Sequence, residues 1–199
     1  MRKNIKDEID RFHDYGIYLP TRTIDLSSEE AMEDSESGVD SAMYKKAVKN
    51  LHILDSLSNE PITVIINTFG GDKFHMRAVY DAIKECKSKV VAKVFGSAMS
   101  AGSIILQAAD ERIMMPSSTQ MLHYGTWGHN DHSKIYRKWS EESLKVDSWM
   151  EKVYLERIRE KHPDFTLAKV KKMLDFDTII SAEQSVKLGL ADRVGETHD

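Results

Sequence analysis

The chain has 199 residues, 41% of them hydrophobic and 30% charged, and a net charge of −4 at pH 7. That length suits one full-sized core, so a single domain over residues 1–199 is expected, and the mild acidity supplies no basic field for a nucleic-acid partner. No apolar run approaches the roughly 18 residues of a membrane span, and the N-terminal MRKNIKDEIDRFHDYG lacks the apolar region of a secretory signal, so a soluble, cytoplasmic protein without a membrane partner is expected.

Along the chain, an N-terminal segment of about 1–20 carries no clear periodicity. Residues 28–39 concentrate acidic and small polar side chains and read as a flexible loop. Met43, Ala47, Leu51 and Leu54 then recur at helical spacing and predict a helix over 42–57. The period changes at Ile62, Val64, Ile65 and Ile66, a β-branched run that predicts a buried strand ending at Asn67, followed by a turn from Thr68 to Gly71. Met76, Val79, Ile83 and Cys86 mark one face of a second helix. Cys86, the single cysteine, forms no internal disulfide and reads as a small buried hydrophobe. A further strand over 90–95 leads into Gly96, and a nearly all-apolar helix is expected over 101–109. Short strands over 113–115 and 121–123 flank a Pro-Ser-Ser turn. Helices over 133–160, 166–174 and 181–188 complete the chain, the last with a capping-box pattern at Ser181 and Gln184 and a closing Gly189.

The chemistry concentrates at Gly96-Ser97-Ala98-Met99-Ser100-Ala101-Gly102, which puts a serine at a strand-to-helix junction among residues small enough for a peptide to approach. A serine hydroxyl needs an adjacent base, and a helix start offers free amides to a developing oxyanion. His123, at the end of an apolar strand, is the candidate base. Asp177 and Asp175, before the capped last helix, compete as the residue that orients it, and Asp177 has apolar neighbours expected to bury it. His129 and His132 lack a third ligand at a recognisable spacing, and Gly70-Gly71 lacks the rest of a phosphate loop, so neither a metal nor a nucleotide is expected on this chain. Trp127, Trp139 and Trp149 read as packing or interface residues.

Five separated motifs, Asn67-Thr68-Phe69-Gly70-Gly71, Ala78-Val79-Tyr80-Asp81, the 96–102 segment, Met121-Leu122-His123 and Ser181-Ala182-Glu183, together resemble the ClpP family, the proteolytic subunits of Clp proteases. The resemblance runs from about Ile62 to Val194. It implies an α/β fold of repeated ββα units, as in the crotonase superfamily, with a protruding helical handle over about 133–160. It also implies a serine endopeptidase with Ser100 as nucleophile, His123 as base, Asp177 as its orienting acid, and the amides of Gly71 and Ala101 as oxyanion donors. Asp177 is favoured over Asp175 because it stands four residues before Ser181-Ala182, the family's own spacing. Members of the family stack two heptameric rings around a chamber, and an AAA+ unfoldase that uses ATP feeds in unfolded polypeptide, so this chain would need no cofactor. Trp139, Leu144, Val146, Trp149, Met150 and Val153 give the handle more apolar surface than one small domain needs. Phe69 stands where the family has proline, Tyr124-Gly125 replaces Gln-Pro, and the acidic stretch looks like an insertion. A crotonase-type CoA-thioester enzyme, a catalytically silent ring subunit and a viral capsid-processing protease are the competing readings.

Overall fold

The N-terminal third sets up one edge of a sheet. In the computed structural model, which describes residues 5–28, 38–126 and 132–197, helix α1 (Ile5–Tyr15) leads to a two-residue strand β1 (Ile17–Tyr18) and, after one 3-10 turn, to β2 (Thr23–Ser27). None of these three was visible as periodicity. Most of the acidic loop, with Trp127 and His129, falls outside the described residues. Asp40 then accepts the Ala42 and Met43 amides and starts α2 (Ser41–Leu57), which buries the expected Met43, Ala47, Leu51 and Leu54.

Strand β3 (Ile62–Thr68), helix α3 (Lys73–Glu85), strand β4 (Val90–Met99), helix α4 (Ala101–Ala108) and strand β5 (Glu111–Met114) follow in alternation. Such alternation demands parallel strands with helices crossing over them, and β2, β3, β4 and β5 pair in parallel in that order. Ile62, Val64 and Ile66 alternate inward from β3, and Met76, Val79 and Ile83 of α3 join the same core. Every residue of α4 is buried, as its nearly all-apolar sequence requires, with Ser103 and Gln107 hydrogen-bonded inside. Cys86, at the end of α3, is half-buried rather than buried. Burial pushes its thiol up to about 11, which keeps it protonated and unreactive.

Strand β4 runs past Gly96, where the sequence suggested a stop. Gly96 takes a φ of 76°, and the Ser97 amide donates to the Asn67 side chain at 3.2 Å, so the strand bends there instead of ending. The bend gives the edge of β4 away from β3 two partners. Its first half pairs with β5, and Ser97, Ala98 and Met99 pair in parallel with β6 (Thr119–Leu122).

The long helix α5 (Ser133–Lys161) and α6 (Leu167–Leu174) precede β7 (Thr178–Ser181), an unanticipated strand that pairs antiparallel with β6. Helix α7 (Ala182–Leu188) carries the full capping box, with Gly189 left-handed at its end, and β8 (Arg193–Val194) closes the sheet beside β5. The apolar stripe of α5 divides. Val146, Met150 and Val153 pack into the core of the chain and Trp149 sets its ring edge-on to Tyr80, whereas Leu144 is 65% exposed. Four of the six residues expected to be open, Val146, Trp149, Met150 and Val153, are therefore used internally.

Candidate active site

Sheet register alone brings the three candidate side chains together. In the parallel pair, Met99 lies opposite Met121, and the Ser100 N–H donates to the Met121 carbonyl at 2.8 Å, which sets Ser100 beside the end of β6. In the antiparallel pair, Leu122 lies opposite Thr178, so the next residues outward, His123 and Asp177, face each other. Strand ends are where a rigid scaffold can aim side chains into open space.

The side chains complete the relay. His123 Nδ1 lies 2.8 Å from Asp177 Oδ1, and His123 Nε2 lies 2.8 Å from Ser100 Oγ. A carboxylate can only accept, so Nδ1 carries the hydrogen and Nε2 presents its lone pair to the serine hydroxyl. Asp175 instead caps the end of α6, its N–H donating to the Lys171 carbonyl. Asp177 is not buried as expected. Its side chain is 63% exposed, because its apolar neighbour Phe176 points outward itself while Leu174 turns into the core.

Ser100 sits at φ 50° and ψ −117°, a region that side-chain-bearing residues avoid, on the turn that delivers β4 into α4. The turn opposite it must be glycine. Gly70 has φ 113°, and a Cβ there would come within 2.6 Å of the Ser100 Cβ. Val39 bridges this turn, donating to the Gly70 carbonyl at 2.7 Å and accepting from the Asp72 N–H at 2.9 Å, which leaves the Gly71 N–H outside the bridge. The Ala101 N–H belongs to the first turn of α4, where no intrahelical acceptor exists. Gly71 and Ala101 line one cleft of ≈ 410 Å³ with Phe69, Lys73, Ser100 and His123. A hydroxyl, a base and two amides converging on one cleft suit acyl transfer.

No three His, Cys, Asp or Glu side chains gather as a metal would need among the described residues. His132 accepts the Lys134 amide at the start of α5. Contacts absent from the sequence reading frame the cleft: Lys73 Nζ reaches Asp147 at 2.7 Å, and the Tyr124 hydroxyl donates to Glu151 at 2.7 Å. The four-residue spacing of Asp147 and Glu151 on one helix was the available signal.

The family model for Clp protease matches residues 22–198, nearly the whole chain. The chain belongs to the Clp protease family. The match begins upstream of the motifs at Ile62 and so takes in β2 and α2, and the mixed α/β fold with its long α5 is of the Clp protease type. The ATP-dependent Clp protease proteolytic subunit of Deinococcus radiodurans is 32% identical over 159 residues, which is 78% of this chain and 76% of that protein. Proteolytic subunit 2 of Pseudomonas aeruginosa is 31% identical over 79% of this chain and 77% of its own length. Proteolytic subunit 2 of Leifsonia xyli subsp. xyli is 30% identical, over 78% and 70% respectively.

Proposed function

We propose that the chain is a serine endopeptidase in which Ser100, His123 and Asp177 form the catalytic triad and the Gly71 and Ala101 amides form the oxyanion hole. The observation that carries this reading is the unbroken relay from Asp177 through His123 to Ser100, two contacts of 2.8 Å at the meeting of β4, β6 and β7. His123 Nε2 takes the hydroxyl proton as Ser100 Oγ attacks a peptide carbonyl carbon, and Asp177 stabilises the imidazolium. The carbonyl oxygen, now negative, is received by the two amides, each worth on the order of 100- to 1,000-fold in rate. His123 then returns the proton to the leaving amine, and water, activated by the same histidine, hydrolyses the acyl-enzyme. No step calls on a cofactor or a metal.

The reading extends to assembly. Stacked heptameric rings of this chain, each 1–199 unit acting as one domain in the cytoplasm, would enclose the clefts, and an AAA+ unfoldase would deliver unfolded polypeptide at the expense of its own ATP. Exposed Ile135, Tyr136 and Leu144 on α5 support a helix that meets another copy. No described helix is long and apolar enough to cross a membrane.

A fluorophosphonate is expected to label Ser100, and Ser100→Ala is expected to lower cleavage of a short fluorogenic peptide by at least about 1,000-fold. Undiminished turnover in that variant would sink the assignment. Acyl-CoA turnover in place of peptide turnover would favour the crotonase-type reading, which has no use for the triad. An assembled ring that cleaves nothing would favour a silent subunit.

A further inference from the structure

His123 lies just beyond the last residue of β6, so the direction of its imidazole depends on what anchors the chain after it. Tyr124 is that anchor. Its N–H donates to the Leu174 carbonyl at 3.0 Å, and its hydroxyl donates to Glu151 Oε1 at 2.7 Å. The Glu151 side chain, on α5, is only 9% exposed, and its other oxygen faces Lys171 Nζ at 3.5 Å. Burial, then the hydrogen bond to Glu151 and its charge, push the Tyr124 hydroxyl well above its ordinary range, so it remains a donor. A carboxylate kept nearly out of water is costly to a fold unless its partners are fixed, and a phenol donating to it makes a short, directional bond. Neither group has a part in the acyl transfer itself. One turn earlier on α5, Asp147 holds Lys73, two residues past Gly71, so the same helix grips both walls of the cleft.

We propose that Glu151, acting through Tyr124, is a positioning residue that holds His123 in line with Ser100, which makes α5 part of the reacting apparatus as well as an arm. The inference rests on the serine-peptidase reading above. Without the tether the imidazole samples orientations that miss the hydroxyl, and misplacement of a reacting group lowers the rate of the chemical step. Tyr124 also lines the cleft but Glu151 does not, so the Glu151 variants are the ones in which kcat falls while KM holds.

The test uses the full chain with Tyr124→Phe, Glu151→Leu and Glu151→Gln, measuring fluorophosphonate labelling of Ser100 and steady-state cleavage of a fluorogenic peptide. Tyr124→Phe and Glu151→Leu are expected to lower kcat and the labelling rate about 10-fold, Glu151→Leu at unchanged KM. Their double variant should be no worse than either alone, since both break one link. Glu151→Gln, whose side-chain carbonyl still accepts the phenol, should restore most of the rate. Parental kcat in Tyr124→Phe, or a Gln variant as slow as the Leu variant, overturns the inference while leaving the triad intact. If Glu151→Leu does not fold, Tyr124→Phe decides alone, since it removes one oxygen. A parent chain that resists the fluorophosphonate fails the peptidase reading itself, and the tether falls with it.

Discussion

Helix α5 is continuous from Ser133 to Lys161, yet its two halves live in different surroundings. The first half carries Ile135, Tyr136 and Leu144 on the outside, with Trp139 edge-on to Phe74. The second half turns Val146, Met150, Val153, Tyr154 and Ile158 into the core. Tyr154, with no exposed surface, donates its hydroxyl to Ser103 Oγ, which also accepts from Gln120. Arg157 donates to the Gln107 and Ala109 carbonyls at the end of α4, the helix whose other end is Ser100. The lesson is that an apolar period identifies a helix without saying what covers it. One half is fastened to the catalytic core of this chain, and the other offers its stripe outward.

The contrast can be broken most severely at Tyr154. Tyr154→Ala removes a fully buried ring and is expected to cost about 3–5 kcal/mol, read as a lowered denaturant midpoint; a loss below about 1 kcal/mol would mean the second half is not fastened at all. A smaller effect is expected at the far end of the same half, where buried Arg112 binds Asp192 at 2.6 Å and approaches Glu160 of α5 at 3.6 Å. Burial raises the Asp192 carboxyl, but its hydrogen bonds to Arg112 outweigh this and hold it below the usual range. A lowered folded pKa means stability that is present above the unfolded value of about 3.9 and is lost as pH falls through the folded one. The Asp192 side chain is 38% exposed, so solvent screens part of the pairing; Asp192→Asn should therefore lower stability at pH 7 by no more than about 1 kcal/mol and flatten the acid limb of the stability curve below about pH 4. An unaltered acid limb would remove Asp192 from this account. The smallest effect on folding belongs to Leu144→Ala, expected within about 0.5 kcal/mol of the parent. Its consequence should show in assembly, as a lower mass on dilution in sedimentation; a large loss of folding stability with unchanged assembly would erase the contrast.

Much of the fold was legible because it rests on period. Helices α2, α3 and α5 and strand β3 show apolar residues at their own repeat, α4 is a nearly unbroken apolar run, and the caps at Ser181 and Gly189 fix both ends of α7. Strands β1, β2, β7 and β8 were not legible. They are two to five residues long, and pairing with one another and with β3, β6 and β5 is what makes them strands. At the site, Ser100 was readable as a serine at a helix start, but separating Asp177 from Asp175 by residue pattern alone needs a register that spans 54 residues of chain. The tether from Tyr124 to Glu151 was as hard to see, since beyond the four-residue spacing of Asp147 and Glu151 a buried carboxylate looks like any other charge on a charged helix.

The conformation of Ser100 has a consequence for the chain as a whole. A side-chain-bearing residue at φ 50° and ψ −117° costs on the order of 1–3 kcal/mol, and it persists only because β6 on one side and α4 on the other leave the backbone no alternative. Glycine at position 100 would take the same backbone without penalty. Reactivity and durability are thus opposed at a single residue: the substitution that removes the hydroxyl most completely also relaxes the turn, so the inert version of this protein should be the harder one to unfold.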